Sequence, residues 1–250
     1  MPISDLLQPH ILILAPLIVF VAYVVFGISG FGSTLIAVPL LAHLFPLKFV
    51  VPFFVILDCV GAFSMGFRLR ADVMRRELLV LLPFMALGVI GGVYLLVRVQ
   101  PELLIGGLGL FVVFFGVSYV IKRGKGFPLP HWAAAPIGTF GGATSAVFGI
   151  GGPIYVFFLA GRGATPTQIR ATMPMIFMFT TLARIALFIV AGLYSPAALV
   201  AAAALLPVMG LGIWTGHHLH LNLEQQTIIR VMGGMLVLSG FSLLYRALTA

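Results

Sequence analysis

The sequence predicts an all-α polytopic membrane protein made of two inverted repeats of about five helical segments, each repeat containing a glycine-broken helix. Three observations lead there: the composition, the lengths of the apolar runs and an internal duplication. Hydrophobic residues make up 61% of the 250 residues and charged residues 8%. A soluble domain carries roughly 45–50% apolar and about 25% charged residues. With 14 Lys and Arg and 6 Asp and Glu, the chain cannot cover a water-exposed globule of this size. Mean hydropathy is +1.19. A bilayer is the solvent this composition fits.

The bilayer's hydrocarbon core, ~30 Å thick, needs about 20 helical residues. Apolar runs of that length lie near 49–67, 75–97, 102–121, 171–192, 197–216 and 226–245. Two further regions differ. Residues 11–45 are too long for one span and are interrupted at Gly27-Ile28-Ser29-Gly30-Phe31-Gly32. Residues 132–161 are interrupted at Gly149-Ile150-Gly151-Gly152-Pro153. Each reads as a helix, a break and a shorter second helix. Residues 33–45 and 153–161 are short enough to be half-spans. The first apolar run has no Lys or Arg before it, which excludes a secretory signal peptide, and the sequence shows no appended soluble domain.

A shift of 124 residues places Leu82-Pro83 on Leu206-Pro207, Gly88 on Gly212, Gly92 on Gly216, Leu95 on Leu219, Gly109 on Gly233 and Gly116 on Gly240. A shift of 122 places Phe26-Gly27-Ile28 on Phe148-Gly149-Ile150. The repeats therefore divide at 1–125 and 126–250. Arg68, Arg70, Arg75 and Arg76 share one loop, and Lys122, Arg123 and Lys125 the central linker. The positive-inside rule puts both in the cytoplasm. The loops at Arg162 to Arg170 and before Arg230 follow them, leaving Lys48, Arg98 and Arg246 outside. An odd number of segments per half then inverts the second repeat relative to the first, with both termini outside.

Several chemistries are excluded. Cys59 is the only cysteine, so no internal disulfide and no multi-cysteine metal site can form. The net charge of +8 is spread between apolar runs without a basic stripe, which argues topology rather than nucleic acid. His217, His218 and His220 cluster after Gly216, with Glu224 the nearby carboxylate. Interfacial amphipathic residues explain them, so neither a metal nor a cofactor is expected.

Paired broken helices in an inverted duplication are a carrier architecture, with the substrate at the repeat interface. Gly27, Gly30, Gly32, Gly149, Gly151 and Gly152 let a ligand approach the backbone. A helix restarting after each break points unpaired N–H groups at the gap, which suits an anion. Ser29, Ser33 and Thr34 add hydroxyls at the first break, Thr144 and Ser145 at the second. The alternative is that the glycines serve only kinks and close helix packing. That alternative explains Gly88-x-x-x-Gly92 and Gly212-x-x-x-Gly216 fully. Ionisable residues within spans are the other signal, because placing one there costs about 2.5–3.5 kcal/mol on insertion scales. Arg184 is read as a fixed positive charge for an anionic substrate, its planar fork matching sulfonate, sulfite or carboxylate oxygens. Asp58 is read as its counter-ion or as a proton-coupling carboxylate. The competing reading is a permanent ion pair that sets helix register. Thr172, Thr180 and Thr181 punctuate the Arg184 helix; Thr172 is the site candidate, the others bonding back within the helix.

Phe26-Gly27-Ile28-Ser29-Gly30-Phe31-Gly32 followed by Ala37-Val38-Pro39-Leu40-Leu41 resembles the first-repeat signature of the TauE/SafE family of sulfite and organosulfur exporters. Phe148-Gly149-Ile150-Gly151-Gly152-Pro153, with the stretch from Pro166 to Thr172, resembles its second copy. The resemblance implies secondary transport of sulfite, sulfoacetate or a related organosulfonate across a bacterial cytoplasmic membrane, outward and by alternating access. Ser29-Gly30-Phe31 replaces a run of glycines common in the family, which leaves the cavity open to difference. A carboxylate or amino-acid carrier remains the alternative of the same class. Of other classes, an anion channel and a membrane-embedded enzyme stay as alternatives, the enzyme lacking a cluster of catalytic groups at one depth.

Overall fold

The computed structural model describes residues 8–66, 72–120, 128–218 and 225–249. The first half runs α1 (Pro9–Ser29), α2 (Ser33–Leu41), α3 (Leu47–Gly66), α4 (Arg75–Arg98) and α5 (Pro101–Val120). After a 3-10 turn at His131–Ala133, the second half runs α6 (Ala134–Phe148), α7 (Gly152–Gly161), α8 (Pro166–Val190), α9 (Pro196–His218) and α10 (Gln225–Thr249). The described residues hold no strand. Six helices, α1, α3, α4, α5, α8 and α9, are long and apolar enough to cross a membrane. The chain is a multi-pass membrane protein. The basic loop residues Arg68, Arg70, Lys122, Arg123 and Lys125, together with His220, Glu224 and the side chain of Arg230, lie outside the described residues.

Proline and hydroxyl residues place the helix starts. Pro9 and Pro166 open α1 and α8, where the missing N–H has no intrahelical partner to lose. Thr165 completes a capping box: its Oγ1 accepts from Gln168 N–H at 3.3 Å, while Gln168 Oε1 accepts from Thr165 N–H at 2.9 Å. Pro52 and Pro174 sit inside α3 and α8 with the 122-residue separation of the two breaks.

Helices pair across the halves rather than within them. α1 packs on α9, α4 on α6, α5 on α10 and α3 on α8, while α4–α8 and α3–α9 contacts tie these pairs together. Glycines make the close approaches. Gly212 rests on Phe20 and Tyr23, and Gly216 on Val24, so α1 and α9 run parallel. Gly88 rests on Thr139 and Gly92 on Ala143, so α4 and α6 also run parallel. Gly109 faces Gly240 and Gly116 faces Gly233, which makes α5 and α10 antiparallel. Small residues do this because lipid gives helices little hydrophobic reason to associate, and close van der Waals contact must serve instead.

The two ends of the bundle differ. At one, Arg162 pairs with the buried Glu77 at 3.1 Å, and its Nη1 donates to Leu129 O at 2.7 Å. Leu129 N–H donates to Gly161 O at 2.8 Å, so α6 and α7 leave and return at this same end. At the other, Lys48 Nζ donates to Val97 O at 3.0 Å and Arg246 Nη1 to Ala42 O at 2.8 Å. α2 has nine residues and α7 ten, roughly 14–15 Å of helix. Neither crosses a bilayer, and each folds back beside its longer partner. The outer faces leave Leu79, Leu87, Ile90, Leu103, Leu110 and Phe114 exposed, a surface made for lipid.

These contacts predict opposite outcomes for two neighbouring glycines. A Cβ on Gly88 meets the Thr139 carbonyl, whereas one on Gly91 meets nothing within 4 Å. Gly88→Ala therefore lowers stability by about 1–3 kcal/mol through overpacking, and Gly91→Ala leaves the unfolding temperature unchanged or higher. Thermal unfolding in detergent checks both.

Candidate functional site

The two helix breaks meet. Gly30 (φ 80°) ends α1, Gly32 (φ 96°) precedes α2, and Gly149 (φ 76°) ends α6. All three occupy the left-handed region that a Cβ disfavours. A Cβ on Gly149 would stand 3.1 Å from the Thr34 methyl and 3.6 Å from Arg184 Nη2. The second residue of α2 is thus in contact with the break of the other half, and Arg184 reaches the same point. On α2 the first intrahelical bond runs from Ile36 N–H to Gly32 O at 3.3 Å, ahead of which stand the N–H groups of Ser33, Thr34 and Leu35. On α7 the first is Ile154 N–H to Gly151 O at 3.1 Å.

Arg184 is 2% exposed, and its Nε and Nη2 have no hydrogen-bond partner. Its Cζ lies 5.8 Å over the Phe188 ring, which shields one face of the guanidinium. Asp58 on α3 is partly buried and differently served. Its Oδ1 accepts from Tyr23 Oη at 2.9 Å and from Ser33 Oγ at 3.1 Å. The two charges lie within electrostatic range of each other without forming a direct ion pair. A guanidinium edge with two free donors, beside a glycine break and the start of α2, matches an oxyanion.

The structure gathers Ser33, Thr34, Asp58, Gly149 and Arg184 around this point, while Gly30 faces the Arg170 carbonyl near the start of α8. It places others elsewhere. Gly27 packs on α9, where a Cβ would stand 2.7 Å from Ile213 O. Gly151 lies against Ser145 and the Tyr155 ring, and Gly152 against Phe177 and Met173. Thr172 is at the end of the bundle near Arg162, its Oγ1 accepting from Met74 N–H at 3.0 Å. The side chain of Ser29 lies outside the described residues. Thr180 and Thr181 bond back to the carbonyls of Ile176 and Phe177. His218 Nδ1 bonds the Trp214 carbonyl at 2.8 Å.

Three tyrosines were not among the residues the sequence singled out. Tyr23 holds Asp58, Tyr155 stands beside Ser145, and Tyr194 follows the Arg184 helix. The 122-residue shift contained a signal for the first two. It pairs Tyr23 with Ser145 and Ser33 with Tyr155, so tyrosine and serine exchange places between the halves.

The model of a family described as "Sulfite exporter TauE/SafE" matches residues 15–243. The chain belongs to the TauE/SafE family. The "Probable sulfite/organosulfonate exporter TauE" of Cupriavidus necator is 28% identical over 149 residues, 57% of this chain and 56% of the relative. The "Probable inner membrane transporter protein TsaS" of Comamonas testosteroni is 27% identical over 170 residues, 65% of this chain and 69% of the relative. The chain thus spans little more than half the length of the first. No solved structure matches. In this TauE/SafE chain the start of α2, after the first break, lies against Gly149 of the second.

Contact between the breaks is measurable. Gly149→Ala carries the left-handed cost of about 1–2 kcal/mol plus the collision with Thr34. Gly163→Ala at φ +79° has open space around it and carries the first cost alone. Gly149→Ala is therefore the more destabilising, and a Thr34→Ser background, which removes the methyl, narrows the difference in a double-mutant cycle.

Proposed function

We propose that this chain is a secondary carrier of a small sulfur-containing anion, sulfite or an organosulfonate such as sulfoacetate, in a bacterial cytoplasmic membrane. One observation carries the reading: a buried Arg184 whose Nε and Nη2 are unpaired where the two helix breaks meet. Intramembrane ionisable residues face cavities and mark substrate paths, and a buried donor left unmade is costly. An anion accepting two parallel N–H bonds removes that cost. Family membership and the name of the Cupriavidus relative support sulfur anions as cargo and export as direction, and the name of the Comamonas relative supports an inner-membrane transporter.

Residues 1–125 and 126–250 act as two inverted repeats, a reading supported by the exchange of partners between halves, α1 with α9 and α6 with α4. The end bearing Arg75, Arg76, Arg162 and Arg170 faces the cytoplasm and both termini face out, in keeping with the positive-inside rule. Alternating access then moves the paired breaks between the two sides. Asp58, held by Tyr23 and Ser33, balances Arg184 when no anion is bound. A proton taken up by Asp58 as the anion arrives keeps the site from gaining net negative charge, so that anion and proton leave together down the anion's own gradient.

Thermal stabilisation of purified protein tests the reading, using sulfite, sulfoacetate, thiosulfate and matched carboxylates. A ligand near 100 times its dissociation constant stabilises by about 2.7 kcal/mol. A sulfur anion stabilises the native protein, Arg184→Ala abolishes the effect, and Arg184→Lys weakens it about tenfold or more because the bidentate fork is lost. Stabilisation by carboxylates alone, or full transport by a folded Arg184→Lys variant, defeats it.

A further inference from the structure

Two buried hydroxyls within electrostatic range of Arg184 have no role in holding Asp58 or in the helix packing. Tyr155 Oη and Tyr194 Oη, like Arg184 Nε and Nη2, have no hydrogen-bond partner. They come from different elements. Tyr155 is on α7, just past the second break, its ring fixed against Gly141 and Gly151. Tyr194 is in the α8–α9 connection, its ring edge-on to Phe188 with centroids 6.3 Å apart, and Phe188 in turn lies under the guanidinium. Both tyrosines are within electrostatic range of Arg184. All four unpartnered atoms can donate, two on the guanidinium itself and two on tyrosines within its electrostatic range. Burial of that many unmade donors calls for a ligand rich in acceptors.

The geometry of the acceptor then matters. A carboxylate on the guanidinium edge is coplanar with it and presents both of its oxygens to that edge. A sulfite or sulfonate group is pyramidal, and its third oxygen stands out of that plane. We propose that the Tyr155 and Tyr194 hydroxyls bind the oxygen that the guanidinium leaves over, so that they select an anion with three oxygens on one centre against a planar carboxylate. This rests on the carrier reading and deepens it by naming the feature of the substrate that is recognised. A site built to bond an oxygen rejects the analogue that lacks it, because its own buried groups are then left unpaired.

The test measures dissociation constants of the full purified chain for sulfoacetate and malonate, which differ by a sulfonate in place of a carboxylate. The native protein prefers sulfoacetate by about tenfold or more, the effect of a bond to a charged group. Tyr155→Phe and Tyr194→Phe each lose affinity for sulfoacetate by about tenfold and change malonate little, so the preference collapses in the double variant. Without ligand, both variants unfold at the native temperature or higher, since each loses only an unpartnered hydroxyl. A hydroxyl with a structural role would instead lower it. A preference kept in the double variant overturns the assignment, as does a Phe variant that fails to fold. A native protein that binds malonate as tightly as sulfoacetate overturns the selection while leaving an anion carrier standing. A native protein that binds neither overturns both readings.

Discussion

Backbone that leaves a helix inside a bilayer has no water to bond, so it persists only where protein covers it. In this chain each of two breaks is covered by the other half. Thr34, at the start of α2, lies on Gly149, and Gly30 faces the Arg170 carbonyl. The rest of the architecture serves that closure. α1 and α6 must stop where the other half covers them, and α2 and α7 must turn back without crossing. The parallel pairs α1–α9 and α4–α6 hold the long arms of these hairpins. Their glycine contacts bring backbone against backbone, which gives van der Waals attraction in a solvent that supplies little hydrophobic drive between helices.

The same closure accounts for the distribution of charge. Asp58 and Arg184 project from α3 and α8, corresponding helices of the two halves, yet they are satisfied in unlike ways. The carboxylate has two hydroxyl donors, Tyr23 and Ser33. The guanidinium has a ring beneath it and two N–H groups open. A shift of 122 residues pairs Tyr23 with Ser145 and Ser33 with Tyr155. One half thus holds its charge closed, while the other leaves two donors of its charge unpaired. A symmetric pair would have tied both charges to each other or left both open.

Much of the fold was legible in the residues, because a bilayer tolerates few arrangements. Span length follows from rise per residue, and the breaks follow from glycine where apolar runs were too long. Arg184 was legible as a charge in a span. Partnership was not. Thr172 opens the Arg184 helix, but the rotation of α8 sends its hydroxyl to Met74 N–H. Gly27 belongs to a break motif, but it faces α9 and serves packing. Tyr155 and Tyr194 lie in apolar surroundings where a tyrosine reads as one more large side chain.

The sequence by itself determined the solvent, the helices, the two interruptions and the presence of one buried cation. Each of these depends on composition and on local backbone chemistry, which neighbours in the chain dictate. Only the tertiary structure decided that the breaks touch, that α2 and α7 return to the side they came from, and that the cation keeps two donors free. Those depend on which helix faces meet across more than a hundred residues of chain. That outcome is set by close packing in three dimensions, where a glycine's value is known only once its opposite surface is in place.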